Sequence, residues 1–283
     1  MITENVFSIS PNPRYFYITP SVGAALDKTR YVIQSRQGLT TIIGDVGLGK
    51  TSLLRLLYNE YADNPDFSAA LMVNPNQTSE TAFLKAICHE FEVPTRRSQR
   101  ETEYELRSFL IEEAKSGRTV VLFIDEAQQL RGPMFEQIRQ ILNFETDDMK
   151  LINIVLAGQI ELRQKLADRS KRALVSRIAV SSTLDAMTLE ETIAMIAFRC
   201  QIAGVNNSFL DEASEAVYRW SKGVPREAIK LCAMSLQYAL ANAADQVSKE
   251  VVETAQNDLV KSSEPAPEKP TKSTVKAAHE ALS

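Results

Sequence analysis

Two short stretches hold most of the residues in this chain that are equipped for chemistry. The first is GDVGLGKT, residues 44–51. Its glycines let backbone N–H groups turn toward a phosphate with no Cβ in the way. A helix starting immediately afterwards would add its positive end. The spacing is that of a phosphate-binding loop, G-x-x-x-x-G-K-[ST], and it sits between an apparent strand and an apparent helix, as that motif requires. Gly44, Asp45, Val46, Gly47, Leu48, Gly49, Lys50, Thr51 and Ser52 form the candidate cradle. Lys50 is placed to reach the outer phosphates, and the Thr51 hydroxyl to ligate Mg²⁺.

The second stretch is VVLFIDEAQ, residues 120–128. An apolar strand here ends in two acids, Asp125 and Glu126. Carboxylates beside a dry strand are costly unless a cation or hydrogen bonds compensate. An Mg²⁺ held at a nucleotide supplies that cation, with Asp125 holding the ion through water. Glu126 is then placed to orient and deprotonate an attacking water. The two stretches together point to a Mg²⁺-dependent ATPase.

The elements that must position these residues follow from periodicity. Short β-branched or apolar runs at 39–43, 67–73, 119–124, 151–157 and 177–183 read as strands. Helical patterns occupy 23–36, 52–59, 78–91, 101–115 and 134–143. Strands alternating with helices predict an α/β fold with a five-stranded parallel sheet between helices. Beyond residue 185 the strands stop. Helical stretches at 189–204, 211–222, 225–241 and 248–259 predict an all-helical lid. The expected division is an N-terminal arm over the nucleotide pocket (1–21), a nucleotide-binding domain (22–185), the lid (186–260) and a disordered tail (261–283). The arm carries Phe7, Tyr15, Phe16 and Tyr17, which either pack on the core or wall a ligand pocket. The tail's stretch SSEPAPEKPTKST is rich in Pro, Ser, Lys and Glu.

Composition narrows the partners. The chain has 283 residues, 32 Lys plus Arg against 36 Asp plus Glu, and a formal net charge of -4. A globally basic coat is excluded, so nucleic-acid contact would need a local patch. Cys88, Cys200 and Cys232 are far apart, and only His89 and His279 are present, which argues against a disulfide framework or a zinc site. No apolar run approaches a membrane span, and the first ten residues lack a secretory pattern. A cytoplasmic, reducing compartment is expected.

On the phosphate loop, the IDEAQ run, FSISPNPRYFYITPS (residues 7–21) and LAGQIEL (residues 156–162), the chain resembles the AAA+ ATPases, and within them the ExeA-like branch. The resemblance spans roughly residues 1–260. It implies ATP-dependent assembly into rings or filaments with the nucleotide between subunits. It implies a γ-phosphate sensor at Gln159 and a lid sensor at Arg226, in GVPREAIKLC. It also implies an arginine finger at Arg177, with Arg169 and Arg172 as alternatives on the same stretch.

The chain further resembles the transposition ATPases of the TnsC, TniB and MuB kind. That resemblance implies duplex DNA binding without sequence preference and recruitment of a transposase or targeting protein. Asn76, Gln77, Thr78, Arg96, Arg97 and Arg100 are the implied DNA contacts. The ExeA branch implies the alternative, a soluble ATPase assisting assembly of a secretion or pilus apparatus.

Overall fold

A computed structural model describes residues 6–8, 10, 12–147, 149–204 and 208–263. Five strands, β1 (Leu39–Gly44), β2 (Phe67–Met72), β3 (Thr119–Ile124), β4 (Ile152–Gly158) and β5 (Ile178–Leu184), form one sheet in the order β2-β3-β4-β1-β5. All four pairings are parallel. Parallel neighbours require crossovers, and helices supply them. These are α1 (Pro20–Gln34), α2 (Lys50–Ala62), α3 (Glu80–Glu90), α4 (Gln99–Lys115), α5 (Gly132–Ile141), α6 (Ile160–Leu166) and α7 (Arg172–Val175). One core layer centres on Phe83, Leu106, Ile124, Phe135 and Ile154, the other on Leu26, Leu53, Phe123 and Val155. Covering both faces explains why β3 reads as an unbroken apolar run.

This strand order positions the site. β4 lies between β1 and β3, so residues leaving the C-terminal ends of all three converge at one edge. The phosphate loop follows β1, Asp125 and Glu126 follow β3, and Gln159 follows β4. Ligands in open α/β sheets bind at this edge.

Four helices, α8 (Leu189–Ile202), α9 (Asp211–Ser221), α10 (Pro225–Ala241) and α11 (Lys249–Ser263), build a separate apolar cluster. Val6 and Phe7 of the N-terminal segment are buried in that cluster, with the Phe7 and Phe209 rings 5.6 Å apart. The segment is therefore anchored on the helical lid, while Phe16 packs against the sheet domain.

Caps explain most boundary differences. Thr19 Oγ1 accepts from Val22 N at 3.3 Å and Pro20 takes the first turn, so α1 starts before the expected Gly23. Ser79 Oγ accepts from Ala82 N at 3.1 Å, so α3 starts at Glu80 and Thr78 stays in a loop. Helices α6 and α7 are too short to show a period and are additions to the expected set. α11 continues to Ser263, which corrects the expectation of a tail from residue 261. The remainder of that tail, 264–283, lies outside the described residues, as do 1–5, Ile9 and Pro11 of the arm. Among the described residues no helix is long and apolar enough to cross a membrane.

Candidate active site

The phosphate loop is pinched between the N-terminal segment and the lid. Gly47 and Gly49 have φ of +82° and +90°, which glycine alone adopts without strain. A Cβ at Gly47 would meet Val224 Cγ1 at 2.9 Å and Arg226 Cβ at 3.1 Å; one at Gly49 would meet Phe16 Cε2 at 3.1 Å. The cradle thus has no room for side chains at either glycine. α2 begins at Lys50 with no side-chain cap, leaving its first N–H groups for a ligand.

Lys50 is buried, and its Nζ donates to the carbonyl oxygens of Gly44 (2.8 Å) and Asp45 (2.7 Å). Burial lowers the pKa of its ammonium, while the charges of Glu126 and Asp125 work the other way. Val46, Gly47, Gly49, Lys50, Thr51 and Ser52 line the cleft. Leu48 turns its side chain into the core instead, and Gly44 and Asp45 lie behind Lys50.

Asp125 is 2% exposed. Its Oδ2 accepts from Thr51 Oγ1 at 2.6 Å and its Oδ1 from Glu126 N at 2.8 Å. Burial raises its carboxyl pKa above the usual range, and those two hydrogen bonds oppose the shift. Among the described residues no group of three or more His, Cys, Asp or Glu side chains could hold a metal. A hydroxyl beside one carboxylate fits Mg²⁺, which binds through one or two protein oxygens plus phosphates and water.

Glu126 adopts φ 51° and ψ 35°, a left-handed conformation unfavourable for glutamate. Two amides hold its side chain. Gln128 Nε2 and Gln159 Nε2 both donate to Glu126 Oε2, the latter at 3.3 Å. Gln128 Oε1 also accepts from Gln159 N at 3.1 Å. A Cβ at Gly158 would meet Gln128 Oε1 at 2.9 Å, which explains the glycine before Gln159. Glu126 lines the cleft, and both amides engage Oε2 rather than its other oxygen, Oε1. Gln128 escaped the sequence reading, although it stands two residues after Glu126 in IDEAQ.

From the lid, Arg226 N donates to Gly47 O at 3.3 Å, and the exposed Arg226 side chain lines the cleft. Gly223 sets this placement. It has φ +75°, and a Cβ there would stand 2.0 Å from Met187 O. Phe16 lines the cleft, as one of the two readings of the arm's aromatics has it, and Arg199, which had no assigned role in the sequence reading, lines it too. Their signal is spatial: one comes from the N-terminal segment and one from α8.

Arg177 is not in this cleft. It precedes β5, where Ile178 pairs with Leu39, whereas the loop end of β1, Gly44, pairs with Leu184. That register puts Arg177 about 20 Å along the sheet from the phosphate loop of its own chain. Its guanidinium donates to Asn143 Oδ1 at 2.8 Å and to Ala173 O. Arg169 and Arg172 are exposed as well.

The implied DNA contacts Asn76, Gln77 and Thr78 fall on the loop before α3, Arg96 and Arg97 on the loop before α4, and Arg100 in the first turn of α4. Thr81 Oγ1 donates to Gln99 Oε1 at 2.9 Å, joining the starts of α3 and α4. This brings the Asn76, Gln77 and Thr78 loop toward Arg97 and Arg100. Arg96 is ion-paired with Glu105 at 2.7 Å, so its charge is partly neutralised. Arg97 and Arg100 are exposed and have no ion-pair partner among the described residues.

With this geometry in view, residues 33–166 match the AAA domain family. The chain superposes on Cdc6p from Pyrobaculum aerophilum with TM-score 0.68 at 20% identity, over 89% of this chain and 70% of that one. This is an AAA+ fold. The ORC2 protein of Aeropyrum pernix gives TM-score 0.64 at 17% identity, over 90% and 71% of the two chains. The Holliday junction branch migration motor RuvB of Thermotoga maritima gives 0.59 at 21%, over 84% and 69%. In sequence, the chain is 34% identical over 249 residues to general secretion pathway protein A of Aeromonas hydrophila, covering 87% of this chain and 45% of that protein. The chain therefore spans about half the length of this curated relative, which resembles it across both the AAA+ domain and the lid.

Proposed function

We propose that this AAA+ protein is a Mg²⁺-dependent ATPase that assembles with itself and completes each ATP site with a residue from a neighbouring copy. One observation carries the reading: Lys50, Thr51, Asp125, Glu126 and Gln159, from three separate strand ends, meet around one cleft. The loop and Lys50 hold the triphosphate. Thr51 and Asp125 would hold Mg²⁺, which when bound would supply positive charge to the phosphate oxygens. Glu126 takes a proton from the attacking water as the γ-phosphoryl passes to it and ADP leaves. Gln159 and Gln128 orient that carboxylate. Arg226 faces the phosphates from the lid. Arg177, remote from its own cleft, serves a neighbour's, because a finger must project from the opposite end of the sheet domain.

The partner we assign is duplex DNA, contacted by Arg97 and Arg100 with Asn76, Gln77 and Thr78, in the service of a transposase or targeting protein. Two unpaired guanidiniums per copy are weak alone and add up around an assembly, so an acidic chain can still grip DNA. The Arg96–Glu105 pair makes Arg96 the weakest of the six. The likeness to general secretion pathway protein A favours a second reading, assembly of a secretion or pilus apparatus.

Fluorescence anisotropy separates the two. With a non-hydrolysable ATP analogue and duplex of arbitrary sequence, the DNA reading requires binding that needs nucleotide, falls steeply with salt, and weakens in Arg97→Ala with Arg100→Ala. Absence of binding at low salt in the assembled state leaves the secretion reading.

A further inference from the structure

On α4 the acids are engaged and the arginines are not. The Glu101 side chain accepts from Ser98 N at 3.5 Å in a capping box. Glu105 pairs with Arg96, Glu112 with Lys115 and Glu113 with Arg118. Glu103 stands four residues before Arg107, a spacing that favours an ion pair. Its Oε1 instead accepts from Gln99 Nε2 at 3.0 Å and from Gln137 Nε2 at 3.4 Å, and Gln137 is buried on α5. Arg107 is left exposed and, like Arg97 and Arg100, has no ion-pair partner among the described residues.

Tyr104 lies among these arginines. It is 69% exposed, more than any other large apolar side chain among the described residues. Arg100, Tyr104 and Arg107 are spaced i, i+4, i+7, so they share one face of α4 and span about 10 Å of it. Arg97, Arg100 and Tyr104 line one hollow with Glu101 and the Arg96–Glu105 pair, whose charges are already engaged. Three unpaired cations in a chain of net charge -4 reverse the sign locally and select an anionic partner. A duplex backbone would satisfy the arginines and leave the ring idle, because its bases are stacked inside. A single strand satisfies both, with phosphates on the guanidiniums and an unstacked base on the aromatic face.

We infer that this face of α4 binds single-stranded DNA, with Arg97, Arg100 and Arg107 on its phosphates and Tyr104 stacked on a base. The inference rests on the DNA reading above and deepens it. The loop at residues 76–78 meets the duplex, and the α4 face takes a strand that has left it. The 2.9 Å bond from Thr81 to Gln99 joins the two surfaces.

The test is fluorescence anisotropy of the full chain with a non-hydrolysable ATP analogue and labelled probes of equal length. The probes are single-stranded oligothymidine, an abasic strand that keeps the phosphates without the bases, and duplex. Tyr104 is exposed, so its replacement leaves the core intact. We expect Tyr104→Ala to weaken oligothymidine binding about tenfold, with abasic-strand and duplex binding unchanged, and Tyr104→Phe to bind as wild type does. Arg107→Ala should weaken both single strands alike and lower their salt slope by about 0.7. Wild-type protein that binds duplex but not oligothymidine overturns the inference and leaves the DNA reading standing. So does Tyr104→Ala that binds oligothymidine as tightly as wild type, or that loses as much affinity for the abasic strand. Wild-type protein that binds none of the probes overturns the DNA reading itself, and the inference with it, in favour of an acidic protein segment on α4.

Discussion

Thr51 Oγ1 donates a 2.6 Å hydrogen bond to Asp125 Oδ2, joining the first turn of α2 to the end of β3 across 74 positions of sequence. The bond satisfies one oxygen of a carboxylate whose pKa burial raises, and it works against that shift. It also brings together the two oxygens best placed for Mg²⁺.

A buried, incompletely compensated charge is a cost in the empty protein. Asp125→Asn removes that charge while keeping an acceptor for Glu126 N and a partner for Thr51. The variant without ligand should melt about 2–4 °C higher than wild type, the shift expected for roughly 1 kcal/mol in a chain of this size. Addition of Mg²⁺ with ATP should raise the wild-type melting temperature and leave that of Asp125→Asn nearly unchanged. Thermal denaturation with and without the ligand pair checks both halves.

Gln128 acts on chemistry through Glu126. Its amide group donates to Glu126 Oε2 and accepts from Gln159 N, so it fixes the carboxylate relative to β4. Gln128→Ala should lower kcat about tenfold with KM little changed, the pattern of a group whose loss is felt in the transition state. Gln128→Asn, too short to span both partners, should not rescue. Steady-state kinetics of the two variants decide it.

The residues legible in sequence were those whose role is local in the chain. The phosphate loop and the two acids of IDEAQ announce themselves because glycine spacing and an apolar strand end are properties of adjacent residues. The alternating layers were legible for the same reason, since β3 and β4 are short apolar runs bounded by turns. Gln128 was not, because its function depends on β4 lying beside β3, which only the sheet order establishes. Arg199 was hidden further still: it comes from α8, far along the chain from Thr51, and reaches the cleft only because α8 folds back over the N-terminal segment. Helix α11 was cut short because its last turn, Lys261 to Ser263, has the composition of the tail that follows.

A shared site predicts complementation between variants. Arg177→Ala should bind ATP and fail to hydrolyse it, although Arg177 is remote from its own phosphate loop. Mixing it with Glu126→Gln should restore part of the activity, because some interfaces then pair an intact base with an intact arginine. Phosphate release across a series of mixing ratios should pass through a maximum. Arg177→Ala with normal activity alone, and no maximum on mixing, moves the finger to Arg169 or Arg172.

Gly223 sets the angle at which α10 brings Arg226 to Gly47. Gly223→Ala would place a Cβ 2.0 Å from Met187 O at a backbone φ of +75°. The lid must then shift or the backbone strain, at an expected cost of about 2–3 kcal/mol. The contact between Arg226 N and Gly47 O is lost with that shift. Denaturant unfolding should show the loss of stability, and ATP titration a weaker affinity than wild type even where the protein remains folded.

The central claim is that Glu126 removes the proton from the attacking water in a site whose phosphates are held independently of it. Phosphate release and ATP affinity, measured side by side for wild type and Glu126→Gln under saturating Mg²⁺, test it most directly. The account predicts turnover about 100-fold slower or more in Glu126→Gln, with a dissociation constant within about threefold of wild type and longer-lived assemblies. Turnover at the wild-type rate, or a loss of ATP binding that accounts for the slower rate, would contradict it.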